Sequence, residues 1–80
     1  MDDTLRGLIV STLQLSTAEA KALSVSDSIH TVRNWDSLGH IRLVLALEAA
    51  YDVSIPDTDA IQLTSVERIA TFLRQRSVTV

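Results

Sequence analysis

Three side chains able to do chemistry stand within one helical turn: Asp36, Ser37 and His40. An acid, a serine and a histidine are the residue types of a hydrolytic triad. In a triad the histidine takes the serine proton while the acid orients the far side of the imidazole. Their spacing argues against that reading. Ser37 and His40 lie three apart, and three residues of one turn do not give a linear relay with separate oxyanion donors. The serine also lacks a Gly-x-Ser-x-Gly turn, and eighty residues leave little volume for a substrate pocket. A less demanding chemistry is open to Ser37. Asp36-Ser37 is a helix-entry signal, because both side chains accept hydrogen bonds from the free N–H groups of a first turn. Those N–H groups and the positive end of the helix dipole also favour negative charge, so a serine hydroxyl there can carry a phosphate-linked group. The same dipeptide is equally an ordinary cap with no chemistry attached.

Ser37 would stand at the head of a helix running through Glu48 to Tyr51. At about 100° per residue, Leu43, Val44, Leu47 and Tyr51 fall on one side, with Ala50 at its edge. Leu38, Ile41, Leu45 and Ala49 form a second stripe roughly opposite. Arg42 borders that stripe, and Glu48 flanks it from the other direction. One apolar stripe joins a core. A second is either buried by another helix or left out as a docking surface, and periodicity leaves both open.

Asp36-Ser37-Leu38, followed by Leu43-Val44-Leu45-Ala46-Leu47-Glu48, resembles the phosphopantetheine attachment site and second helix of acyl carrier proteins. The likeness continues through Tyr51-Asp52-Val53-Ser54-Ile55-Pro56-Asp57 and reaches Leu63-Thr64-Ser65-Val66 and Ile69, so it covers Trp35 to Leu73. The resemblance implies a non-catalytic carrier, itself a substrate of its partner enzymes. Ser37 would be the attachment point of a 4'-phosphopantetheine arm donated by coenzyme A, with Asp36 and Leu38 completing the motif. Acyl or aminoacyl intermediates would be held on that arm as thioesters. The implied partners are a phosphopantetheinyl transferase, acyl-loading, condensing or modifying enzymes, and acyltransferases. Leu38, Ile41, Arg42, Leu45 and Glu48 would be the surface they read. The alternative is a helical interaction module that is never modified and uses the Leu38, Ile41 and Leu45 stripe to bind a partner helix. The carrier requires the Ser37 hydroxyl, whereas the module requires only a cap.

The chain departs from fatty-acid carriers in one respect. Their second helix is typically rich in acids, including positions matching Gly39, Arg42, Ala49 and Ala50, which are neutral or basic here. A dedicated carrier of a polyketide, nonribosomal peptide or other specialised pathway is therefore expected. Trp35 before the motif is read first as a pin for the preceding loop and second as a partner contact.

Composition bounds these readings. Eighty residues make one small domain, and apolar residues form 46% of them, enough for a core. The three aromatics, Trp35, Tyr51 and Phe72, leave that core aliphatic. Without cysteine there is no disulfide or thiolate metal site, and His30 and His40 lack a clear carboxylate partner, so no metal is expected. The net charge is −3, and between Asp27 and Asp59 six acids outnumber Arg33 and Arg42. That negative middle argues against nucleic acid, whose phosphates would repel it, and permits docking on basic patches. Scattered acids are also what any solvated surface carries. No signal peptide or membrane span is read, so a cytoplasmic, monomeric protein is expected.

In chain order, Leu5, Leu8, Ile9, Thr12 and Leu13 give the first helix its period, with Asp2 and Asp3 at the favourable end of its dipole. Ser16-Thr17-Ala18-Glu19 has capping-box spacing, and predicts a short helix to about Leu23 or a continuation of the first. Ser24 to Trp35 reads as a long loop pinned by Val25, Ile29 and Val32. After a turn at Asp52 to Ser54, Pro56 suits a short helix over Asp57 to Ile61. Thr64-Ser65-Val66-Glu67 is a capping box before a helix to about Arg74 or Arg76, with Val66, Ile69, Ala70 and Leu73 on one stripe and Phe72 at its flank. The expected fold is all-α: a small acyl-carrier-like bundle of three main helices plus one short helix, with a long loop between the first two main helices. Leu8, Leu43, Leu47, Val66, Ile69 and Leu73 are its core candidates. One carrier domain over 1–80 is expected, ordered to about residue 76, with 77–80 frayed.

Overall fold

A computed structural model describes residues 3–76, and the tail expected to fray, 77–80, lies outside the described residues. Five helices follow in order: α1 (Asp3–Leu13), α2 (Thr17–Ala22), α3 (Ser37–Tyr51), α4 (Asp57–Ala60) and α5 (Val66–Gln75). The three main helices are α1, α3 and α5, while α2 and α4 are short. The Ser16 box therefore opens a helix of its own instead of extending α1. Gln14, at φ 55°, takes a left-handed conformation that ends α1 before it.

The core gathers one seam from each main helix. Leu5, Ile9 and Leu13 of α1, Leu43 and Leu47 of α3, and Val66, Ile69, Ala70, Phe72 and Leu73 of α5 are all buried. Leu8, a core candidate from sequence, packs only partly against them. The α1 seam follows the i, i+4 row, and Leu8 sits beside that row. The closest backbone pairing of α3 is with α1.

Polar ties hold α2, which buries none of its own residues. Ser16 Oγ accepts from the Glu19 N–H at 3.1 Å, and the Ser16 N–H donates to Glu19 Oε1 at 2.8 Å. The Arg6 guanidinium donates to the carbonyls of Ala20 and Leu23, where the helix end leaves acceptors free. Arg33, from the loop, donates to the Glu19 carboxylate at 2.8 Å.

The long loop is pinned differently from the sequence reading. Val25 is 45% exposed, and buried Leu23 and Trp35 hold the two ends, with Ile29 and Val32 half-buried between them. Backbone bonds add a clasp to the start of α5: the Ile29 N–H donates to the Thr64 carbonyl at 2.9 Å, and the Val66 N–H to that of Asp27 at 3.0 Å. Ser28 and Ser65 thereby form an isolated antiparallel bridge. This clasp shifts the cap of α5 by one residue. Thr64 gives its carbonyl to the clasp, and Ser65, the bridged residue, accepts from the Arg68 N–H at 3.1 Å as the N-cap.

The two glycines respond oppositely to the same substitution. Gly7 faces open space, so Gly7→Ala should add roughly 1 kcal/mol through helix propensity alone. At Gly39 a Cβ would collide with the Asn34 carbonyl oxygen, a backbone atom that cannot swing aside. Gly39→Ala should cost about 1–3 kcal/mol, as overpacked sites do. Thermal denaturation of both variants measures the two signs, and a Gly39→Ala as stable as Gly7→Ala would refute the close approach.

Glu19 supplies a pH signature. Its hydrogen bond from Arg33, then that from the Ser16 backbone, hold its pKa down from 4.5 to about 2. A carboxyl depressed on folding stabilises the native state above its unfolded pKa and loses that contribution as pH falls through its folded one. The Tm difference between the wild type and Glu19→Gln should therefore be full above about pH 5 and shrink toward pH 2. A difference independent of pH would leave the ion pair without a stabilising role.

Candidate functional site

The turn that opens α3 is built from both sides. Asp36, extended at φ −102° and ψ −167°, accepts from the Gly39 N–H through Oδ1 at 2.8 Å. Its carbonyl takes the His40 N–H at 2.7 Å, closing the first turn around Ser37. Asn34 stands at φ 68° and donates through Nδ2 to the Leu13 carbonyl at 2.8 Å, which ties the turn to the end of α1. Ser37, the first residue of the helix, is exposed.

His40 does not serve Ser37. Its Nδ1 accepts from the Trp35 indole N–H at 3.0 Å, and its Nε2 lies 2.7 Å from the Ala60 carbonyl. An indole nitrogen only donates and a carbonyl only accepts, so the imidazole proton sits on Nε2. Both ring nitrogens are occupied, and no relay runs from Ser37 through His40. Trp35 is 2% exposed and stacks on the imidazole, with centroids 6.3 Å apart and planes at 17°. The tryptophan pins the loop and offers no surface to a partner.

The second stripe of α3 faces outward. Leu38, Ile41 and Leu45 are 55%, 57% and 59% exposed, while Leu43 and Leu47 on the other side are buried. Arg42 is exposed beside them and makes no ion pair among the described residues. Glu48 is engaged within the fold, where its Oε2 accepts from the Ile55 N–H at 2.9 Å and fastens the chain that follows α3.

Sequence reasoning missed Ile61, which is 72% exposed at the end of α4. It faces α3 across a groove of about 310 Å³ with Ile41, Val44, Leu45, Ile55 and Ala60 as its apolar lining and His40, Glu48 and Asp57 as its polar lining. It also missed the Trp35–His40 pair, since helical periodicity does not reach across a helix start. On the α1 side of the turn, Thr12, Gln14, Asn34, Asp36 and Arg42 line a smaller polar recess of about 170 Å³. Among the described residues no cluster of three or more His, Asp or Glu is placed to hold a metal. No helix is long and apolar enough to cross a membrane.

A phosphate-linked arm fits this turn. The Ser37 hydroxyl is exposed, makes no hydrogen bond among the described residues, and stands where the first N–H groups of an α-helix lack intrahelical partners. Bulk added at its oxygen would displace no core side chain.

Comparison with known proteins agrees with this geometry. The family described as "Phosphopantetheine attachment site" matches residues 3–73. The acyl carrier protein of Campylobacter jejuni subsp. jejuni is 30% identical over 71 residues, which is 89% of this chain and 88% of that protein. The acyl carrier protein of Campylobacter curvus is 30% identical over 73 residues, 91% of each chain. Over a shorter stretch of 38 residues, the acyl carrier protein of Syntrophobacter fumaroxidans reaches 50% identity, covering 48% of this chain and 47% of its own. With the family matched from α1 to α5 and relatives aligned along nearly the whole length, the chain belongs to the acyl carrier protein family, whose members are non-catalytic carriers of phosphopantetheine.

Proposed function

We propose that Ser37 is the attachment residue and that the chain serves a specialised biosynthetic pathway, of polyketide or nonribosomal peptide type, rather than bulk fatty-acid synthesis. The observation that carries the first part is the exposed, unengaged serine on a turn braced by Asp36, Asn34 and His40. When bound, the arm supplies a thiol that holds acyl cargo as a thioester. The protein's own residues do the rest. Asp36 caps the helix and fixes the direction in which Ser37 points. Leu38, Ile41 and Leu45 offer partner enzymes an apolar face next to the serine. Ile61, across the groove, extends that face onto α4.

Arg42 supports the pathway reading. It stands exposed beside Leu38 and Leu45 and makes no ion pair among the described residues, and Glu48 is engaged with Ile55. A partner with a basic docking patch would meet a like charge here, and such repulsion discriminates more sharply than attraction. The enzymes that visit this carrier therefore present a neutral or acidic group opposite Arg42. Partner classes follow from the family: a phosphopantetheinyl transferase and acyl-handling biosynthetic enzymes. Cytoplasmic location and a monomeric state complete the proposal.

Incubating the apo protein with coenzyme A, magnesium and a broad-specificity transferase tests the attachment residue. The intact mass should rise by one arm, and Ser37→Ala should abolish the rise while leaving the helical circular dichroism unchanged. Modification that persists in Ser37→Ala would place the arm elsewhere, and a folded wild type that never gains it would favour the unmodified interaction module.

Charge reversal tests the pathway. Arg42→Glu should lower kcat/KM with the native partner and raise it with a fatty-acid synthase enzyme. Stability should move by no more than about 1 kcal/mol, because the charge is exposed. Unchanged kcat/KM with both enzymes would make Arg42 a bystander.

A further inference from the structure

We propose that His40 is a positioning residue for modification of Ser37: through the Trp35 indole it fixes the turn on which the serine hydroxyl is presented. This rests on the reading of Ser37 as the attachment residue. His40 contributes to that turn twice. Its backbone N–H donates to the Asp36 carbonyl at 2.7 Å and closes the helix behind Ser37. Its side chain accepts from Trp35 at 3.0 Å and so grips the loop in front of Ser37. One residue thus holds the segment that enters the serine and the segment that leaves it.

The grip on Trp35 is directional. The indole is 2% exposed, and Nδ1 of His40 is the acceptor its N–H finds among the described residues. A buried donor deprived of its acceptor must turn toward water or remain unsatisfied at a cost. The first outcome moves Trp35 and the second loosens its hold on that position, and Ser37 is two residues further along the same backbone. The second ring nitrogen is bound separately, donating from Nε2 to the Ala60 carbonyl at the end of α4. The two bonds can therefore be broken one at a time.

Attachment makes strict demands on the serine. Its Oγ forms a bond to the phosphorus nearest pantetheine, the pyrophosphate bond of coenzyme A breaks, the adenosine bisphosphate leaves, and the serine proton passes to a base of the transferase. A nucleophile displaced by about 1 Å can slow such a step by up to about a hundredfold. His40 and Ala60 line the groove beside Ile41 and Leu45, whereas Trp35 does not, so docking of the transferase depends on the Ala60 bond and not on the Trp35 bond. Loss of the Trp35 bond should therefore appear in kcat and not in KM.

Two substitutions separate the bonds. His40→Gln retains a donor near the position of Nε2 for Ala60 and removes the acceptor for Trp35. His40→Asn retains an acceptor near the position of Nδ1 and removes the Ala60 bond. With the full chain, coenzyme A and magnesium, His40→Gln should lower the transferase kcat on the order of tenfold at unchanged KM. His40→Asn should recover most of that loss. Trp35 is the sole tryptophan, so its indole N–H gives one assignable NMR resonance. That proton should exchange slowly in the wild type and His40→Asn, and quickly in His40→Gln. Trp35→Phe should match His40→Gln, and the double variant should be no slower than either single one. Wild-type kcat in a folded His40→Gln overturns the inference. So do equal losses in His40→Gln and His40→Asn that follow thermal stability, since a merely structural histidine would behave that way. If either His40 variant does not fold, Trp35→Phe decides by the same kcat-against-KM split, and wild-type kinetics there overturn the inference. A wild-type chain that never gains the arm overturns the reading of Ser37 itself and this inference with it.

Discussion

The carbonyl of Asn34 lies against the Cα of Gly39, and no side chain fits between them. Much of the turn that opens α3 follows from that contact. To come so close, the loop must turn over at Asn34, which takes a left-handed conformation that asparagine tolerates better than most residues. Turned that way, Asn34 reaches the last carbonyl of α1 with its amide, and the next residue, Trp35, enters the core. Asp36 then arrives extended and in register to cap α3. The exposed serine therefore stands on backbone held from α1, from the core and from its own helix. A group at a helix entrance is otherwise free to fray.

The rest of the bundle separates apolar from polar work. Three largely aliphatic seams supply most of the burial, and a set of hydrogen bonds to carbonyls and helix ends fastens the short helix and the connecting segments to them. α2 depends on Ser16, Arg6 and Arg33; the long loop depends on its clasp with Thr64 and Val66; the chain after α3 depends on Glu48. This division lets a domain of eighty residues leave a whole apolar stripe of its central helix outside the core.

Most of the helices were legible in the sequence from a period or an entry signal: the period of α1, Ser16 before α2, Asp36 before α3, and a serine or threonine before α5. The two sides of α3 were legible too, although period alone could not say which stripe would be buried. Details that depend on distant backbone were not legible. Thr64 and Ser65 are equally good caps in one dimension, and the bridge to Ser28 decides between them. Val25 has the residue type of an anchor, yet it is exposed and Leu23 and Trp35 are the buried residues at the loop's ends. Leu8 matched the helical period, but the i, i+4 row beside it meets the core. Glu48 flanks the outward stripe by helical spacing, and its bond to Ile55 could not be inferred from that spacing. Around the serine, the motif was visible and its bracing was not. A contact between a loop residue and a helix residue five positions later follows no regular repeat.

The two faces of α3 also bear on how such a chain diversifies. Leu43 and Leu47 carry the helix's share of folding energy, while Leu38, Ile41, Arg42 and Leu45 stand in solvent on other rows. Changes at positions that share no partners add nearly independently, and exposed substitutions away from special features alter stability little. The outward row is thus free to drift, one replacement at a time, without crossing the stability threshold that constrains the inward one. Among descendants of one ancestral bundle, the row that faces solvent can become a lineage's address label while the row that meets the core stays the same.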